Sequence, residues 1–304
     1  EKLRSFDVLT ARALLQQVTT IDPKFGLGHA RLAEAWQALG YSHKAEAEAK
    51  LAMDLSANLP RTDRLLIEAL HYEVQNRQDK AASAYRVLFT AFPDSVEYGI
   101  KLARALGRSG QGQEGLATVS ALRHLPPPAS DDAGIDLIEA QLLFRQDYKK
   151  EVQLLRDASR KTSSRGQKLL YARVKSSECL ILPGGSEAQS ALASCEEARD
   201  LFLAAGNRNA AGYVLERMAG HYTFAGQMEE AFRYYDQALR IAQETGDRGL
   251  AGVVLTNMGM HVQDQGELER AEKMFHEARR SFVDTGASGP SGSPSRRAPS
   301  RTTH

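Results

Sequence analysis

Small and large apolar residues recur along this chain at steps of three and four, the spacing that places side chains on one face of a helix. In "GQMEEAFRYYDQAL", beginning at Gly226, Ala231, Tyr235 and Ala238 form such a face. Forty positions later "GELERAEKMFHEAR", from Gly266, repeats it with Ala271, Phe275 and Ala278. The turns "AAGNRN" at Ala204, "ETGDRG" at Glu244 and "DTGASG" at Asp284 keep the same interval. A more degenerate unit over 167–206 retains Leu182, a "PGG" break at Pro183, Ala191, Ala198 and Phe202, the last answering to Phe282 two units later.

Toward the N-terminus the interval shortens to about 34 residues. Pro23, Pro93 and Pro127 each follow a small residue by twelve positions (Ala11, Ala81, Gly115) and a larger apolar one by eight (Leu15, Tyr85, Val119). A unit between Pro23 and Pro60 carries Leu32, Ala33, Trp36, Ala45 and Ala52, and one over 133–165 carries Ala140, Leu143 and Val152. Repetition at such periods means stacked supersecondary units. Each unit reads as two helices: the small positions let them approach, the aromatic fills the gap to the next pair, and Gly226 or Gly266 ends the first helix in a left-handed conformation. About seven full units are expected, preceded by a lone second helix in "LTARALLQQVTTIDP". That uncovered half unit, and a last unit with no solvating cap helix, suggest a natural protein continuing in both directions. In "LPPPASDD", from Leu125, three prolines stop one unit at an expected flexible joint and Asp131 or Asp132 can cap the next helix.

Composition removes several classes of function. Lys plus Arg total 39 against 38 Asp plus Glu, a net charge of +1, which speaks against a nucleic-acid face. No apolar run approaches the roughly 20 residues of a membrane span, and a cytoplasmic address fits two cysteines, too few for a disulfide framework. The segment 287–304, rich in Ser, Pro and Arg without a large apolar side chain, reads as a disordered tail.

Candidate chemistry is sparse. His71, His221 and His261 hold the same place in their units, but adjacent repeats put them roughly 10 Å apart, and no cysteine or carboxylate is placed to complete a metal shell. Cys179 and Cys195 fall at core positions, where cysteine behaves as a small hydrophobe. The run "GRSGQGQEG" at Gly107 sits where a helix–helix turn belongs rather than a phosphate cradle. No nucleophile stands beside a base in a recognisable motif. No catalytic residue, cofactor or metal is assigned.

The units in "MAGHYTFAGQMEEAFRYYDQA" and "MGMHVQDQGELERAEKMFHEA" resemble the tetratricopeptide repeat, and the resemblance extends over about residues 7–286. It implies an all-α fold, a right-handed α-solenoid of stacked helix–turn–helix units. The expected organisation is an array of about 34-residue units over 1–130, one of about 40-residue units over 131–286, and the tail. In such a fold the first helices line a concave groove that takes a protein or peptide ligand. Placed on the repeat, Glu34, Gln37, Glu73, Arg104, Gln141, Glu216, Thr256, Met260 and Gln263 face that groove. Families that grip a terminal carboxylate use Lys and Asn at positions that here read Glu216, Gly220, Thr256 and Met260, a departure from that pattern.

The longer stretches "DPKFGLGHARLAEAWQALGYSHKAEAEAKLAMDLSANLPRTDRLLIEA", "FPDSVEYGIKLARALGRSGQ" and "LRHLPPPASDDAGIDLIEAQ" resemble the C-terminal repeat region of bacterial eukaryotic-like serine/threonine kinases and of some winged-helix regulators. That resemblance implies an effector domain attached N-terminally. This chain itself shows no kinase glycine loop, H-R-D or D-F-G. Two readings stay open: a non-catalytic scaffold docking a protein or peptide, and a sensor whose solenoid binds a ligand and controls an attached domain.

Overall fold

The computed structural model describes residues 8–181 and 188–283, so the tail and the Leu182–Pro183 break lie outside the described residues. The chain divides into a unit over Glu1–Asp247 and a second over Arg248–His304. The described residues form fifteen α-helices and no strand. None is long and apolar enough to cross a membrane.

In the first unit α1 (Val8–Ile21) is followed by helical hairpins. These are α2 (Gly26–Ala38) with α3 (Ser42–Asp54), α4 (Arg61–Val74) with α5 (Gln78–Ala91), and α6 (Val96–Arg108) with α7 (Gly112–Arg123). After them come α8 (Ala133–Leu142) with α9 (Tyr148–Ser164), α10 (Lys168–Ile181) with α11 (Ala188–Ala204), and α12 (Arg208–Phe224) with α13 (Met228–Thr245). The second helices from α3 to α11 each also pack on the next first helix, and first helices touch one another as α2–α4, α6–α8, α8–α10 and α10–α12. This is the stacking of an α-solenoid. First helices start about 35 residues apart up to Lys168 and 40 apart from there to Arg248.

Local chemistry explains where the helices begin and end. The side chains of Ser95, Asp132, Asp147 and Asn207 accept from Tyr98, Gly134, Lys150 and Ala210 backbone N–H groups and so cap four helices. The hairpin turns pass through positive φ at Gly40, Gly110, Gly226 and, in the second unit, Gly266, with Asn76 and Arg145 taking the same role in two others. The proline joint is held rather than free. Asp131 pairs with Lys161 at 2.8 Å and with Arg165, fastening the segment to α9.

Alanine makes the stacking close. Ala45, Ala81, Ala158, Ala191, Ala231 and Ala238 are completely or almost completely buried, as are the Tyr85 and Tyr235 rings, and Tyr85 fills the space between hairpins. Burying one such ring contributes about 2–3 kcal/mol. The second unit is the hairpin of α14 (Arg248–Asp264) and α15 (Leu268–Val283). There a Cβ on Gly259 would stand 2.8 Å from the Phe275 ring, so glycine and aromatic fit as the sequence pattern requires.

Within the first unit the stack also comes round to meet itself. A Cβ on Gly40, in the α2–α3 turn, would strike the Asn209 side chain at the start of α12. One on Gly206 would stand 2.8 Å from Leu9 of α1. Leu169 of α10 packs on the cluster around Trp36 and Leu39.

Two outcomes are expected. Ala231→Trp overfills a helix–helix contact and destabilises the fold by several kcal/mol, roughly 2–3, read as a lowered thermal midpoint. Gly40→Ala and Gly110→Ala share the left-handed strain, since their φ values are 84° and 82°, but only Gly40 has a neighbour in the way. Denaturant titration should show Gly40→Ala costing at least about 1 kcal/mol more than Gly110→Ala; equal losses would remove the self-contact.

Candidate functional site on the first helices

The first helices carry a line of charged side chains in which opposite signs alternate. On α6, Lys101 donates to Glu34 of α2 at 2.9 Å and stands 3.6 Å from Glu73 of α4. Its ammonium lies 5.6 Å from the Tyr85 ring centre, and the Tyr85 hydroxyl donates to Glu73 at 2.6 Å. Arg31 pairs with Glu34 at 2.8 Å and with Glu97 at 3.3 Å. Burial pushes the Glu34 carboxyl up, but Lys101 and Arg31 outweigh it and hold the pKa at about 2. Burial pulls Lys101 down, and Glu34 and Glu73 more than reverse it, so its ammonium titrates above the ordinary lysine range.

The structure therefore brings Glu34 and Glu73 together, from the expected groove set, through a lysine that the sequence pattern did not single out. Their lone pairs are taken up by Lys101, Arg31 and Tyr85, which makes them supports of the inward face. The available signal was Lys101 itself, a charge inside the apolar run "GIKLARAL".

Arg104, three residues beyond Lys101, and Gln141 of α8 line a cavity of about 680 Å³ with Arg108, Gln111, Gln113 and Gln146. Its floor includes the glycine-rich turn over Gly107, Gly110 and Gly112, so that run is a helix–helix turn as its spacing indicated. Gln37 is exposed on α2. On α12 Glu216 is half-buried beside Arg217, which donates to the Ser176 carbonyl of α10 at 2.8 Å. Thr256, Met260 and Gln263 belong to α14 of the second unit. There Thr256 donates to the Gly252 carbonyl at 2.7 Å, and Met260 and Gln263 are exposed.

The cysteines require a correction. Both are fully buried, as core positions should be, but they are joined to each other across α10 and α11 as a disulfide. His221 brings a ring nitrogen to the Cys179 carbonyl at 2.7 Å, and a ring nitrogen and both sulfurs lie within 4.8 Å of one another. The repeat register gave no sign of this, because it fixes which face a residue occupies and not which partner stands opposite. Only reduction would free these three donors to gather a metal ion. His71, His221 and His261 are all half-buried.

The Glu34 network predicts a pH dependence with a definite sign. Its folded pKa is below the unfolded value of about 4.5, so the stabilisation is complete above that pH and is lost as pH falls toward about 2. Denaturant titration should show Glu34→Gln costing roughly 2–3 kcal/mol at pH 7 and less than about 1 kcal/mol at pH 2.5. A gap unchanged between the two pH values would rule out the charge as its source.

Residues 209–282 match the family model of the tetratricopeptide repeat. No curated protein sequence matches the chain. Among solved structures, the APC/C hetero-tetramer Cut9-Hcn1 superposes with a TM-score of 0.65 at 13% identity, covering 93% of this chain and 51% of that one. The present chain thus spans about half the length of that relative. A Rap protein complexed with competence and sporulation factor gives 0.64 at 16% identity, covering 93% and 85%. The human IFIT1 dimer with m7Gppp-AAAA gives 0.53 at 15% identity, covering 91% and 64%. Likeness at these identities establishes a shared fold, and the fold is a TPR-like α-solenoid.

Proposed function

We propose that the inward face of the first helices is a docking surface for a protein or peptide, and that the chain is a non-catalytic interaction scaffold. The observation that carries this reading is the cavity of about 680 Å³ that Arg104 and Arg108 of α6 and Gln141 of α8 line on two consecutive first helices, together with the turn into α7. Rap, which shares the fold over 93% of this chain, is complexed with a competence and sporulation factor, and the same mode of use is inferred here. Gln37, Arg104, Gln141 and Glu216 are the contact residues proposed in the first unit. Thr256, Met260 and Gln263 offer a corresponding face on the second. Glu34 and Glu73 hold the surface in shape from behind.

Following the resemblance of the long repeat stretches, the scaffold serves a larger bacterial signalling protein, holding a partner near a kinase or winged-helix effector domain by raising its effective concentration. The size of the cavity, about 680 Å³, also suits a small ligand. This favours ligand sensing as the second reading, and a thermal shift with a metabolite set and no protein partner would select it.

A photo-crosslinking amino acid at Gln37 or Gln141 should capture a partner from the native host, while the same group at Lys50 or Gln153, exposed on second helices, should capture none. Equal capture from both sets of positions would overturn the docking surface.

A further inference from the structure

Glu34 and Glu73 pair directly with Lys101, whereas one turn further along α6 the buried Nε of Arg104 has no partner. Arg104 and Arg108 are four residues apart and share a helix face. Arg173 of α10 is near enough for its charge to be felt by them. Among the described residues no hydrogen bond or ion pair reaches the guanidinium of Arg108 or Arg173, and the buried Nε of Arg104 has no partner. Glu73, the carboxylate whose field reaches both Arg104 and Arg173, is already engaged by Tyr85 and Lys101.

The charge of Arg104, then burial, then Arg108 bring Arg173 down to about 9. A fold gains nothing from gathering like charges on a half-enclosed face. An anion between them would convert the repulsion into charge-assisted hydrogen bonds, bidentate where a planar carboxylate meets a guanidinium. The space is present, because Arg104 and Arg108 line the 680 Å³ cavity. Four glutamines line it too; the amides of Gln111 and Gln146 already donate to Ser109 and to the Leu142 carbonyl, and a glutamine so engaged still has a carbonyl oxygen that can accept from a peptide N–H. One of them, Gln141, reaches Ser177 of α10 at 3.5 Å, linking the cavity to the helix that carries Arg173.

We propose that Arg104 and Arg108, which line the cavity, form with Arg173 beside it an anion subsite for a carboxylate side chain of an acidic peptide, whose backbone is held by the cavity glutamines. This deepens the docking reading and rests on it. The cation cluster is short, and Glu114 also lines the cavity, so it offers too few cations for a continuous phosphate backbone. No aromatic side chain lines the cavity to stack a base. An isolated acidic side chain suffers neither objection.

The test uses the full chain and two fluorescein-labelled octapeptide pools, one with Glu fixed at two positions and one with Gln there, beside a labelled oligouridylate. The acidic pool should bind at least tenfold more tightly than the neutral pool, and less tightly as salt rises. Arg104→Gln and Arg173→Gln should each bring the acidic pool down to the neutral level. With no ligand present, Arg173→Gln should keep or raise the thermal midpoint, since it relieves repulsion. A lowered midpoint would make Arg173 a structural residue and overturn the subsite. Equal binding of the two pools would also overturn it while leaving the docking surface intact. Binding of neither pool would overturn it too, and the docking surface would then rest on the crosslinks alone. Tighter binding of the oligouridylate would assign the arginines to nucleic acid instead.

Discussion

A pair of helices whose apolar positions are largely alanine cannot enclose a core of its own, and it becomes stable only by lending one wall to a neighbour. Every hairpin in the first unit meets that constraint: Ala81 and Tyr85, for example, belong to one cluster with Ala52 of the preceding hairpin and Leu102 and Leu106 of the following one. Stability is thereby spread along the stack, with each interface depending on the small side chains that allow close approach. A large residue at an alanine position disturbs two hairpins at once.

Within the first unit the same stacking turns one side of the first helices toward a common inward face, where charges cannot be solvated as freely as on the outside. At Lys101 this confinement is met with carboxylates from two other helices, and with the Arg31–Glu97 pair the resulting set of ion pairs fixes α2, α4 and α6 against one another. At Arg104, Arg108 and Arg173 it is not met. A face that is fully paired in one place and left with excess charge in the next is polarised, and polarity of this kind selects which ligands can be drawn in and in which orientation.

A further tie stands behind that face. The disulfide between Cys179 and Cys195 clamps α10 to α11, and His221 of α12 binds the Cys179 carbonyl, so three successive helices are fastened at one point. Arg217 adds a second link from α12 to Ser176 of α10.

Much of the architecture was legible beforehand. The helical period, the small–aromatic–small faces and the glycine turns are local properties, and a local pattern repeated many times specifies a stack with little ambiguity. Asn76 and Arg145 show the limit even at turns, since both take the left-handed conformation that a glycine rule alone would have missed. The proline-rich segment read as a loose joint because its sequence shows only what breaks a helix; the ion pairs from Asp131 to α9 come from residues about 30 positions away.

What the chain determined by itself, then, was the repeating hairpin and which side of each helix is apolar, because backbone propensity and side-chain period act between residues a few positions apart. Only the tertiary structure decided which charges meet across helices, which cysteine and histidine face each other, and where Gly40 comes up against Asn209. Those pairings depend on the angle and curvature of the stack, which sum small rotations over many hairpins and leave no periodic mark in the sequence.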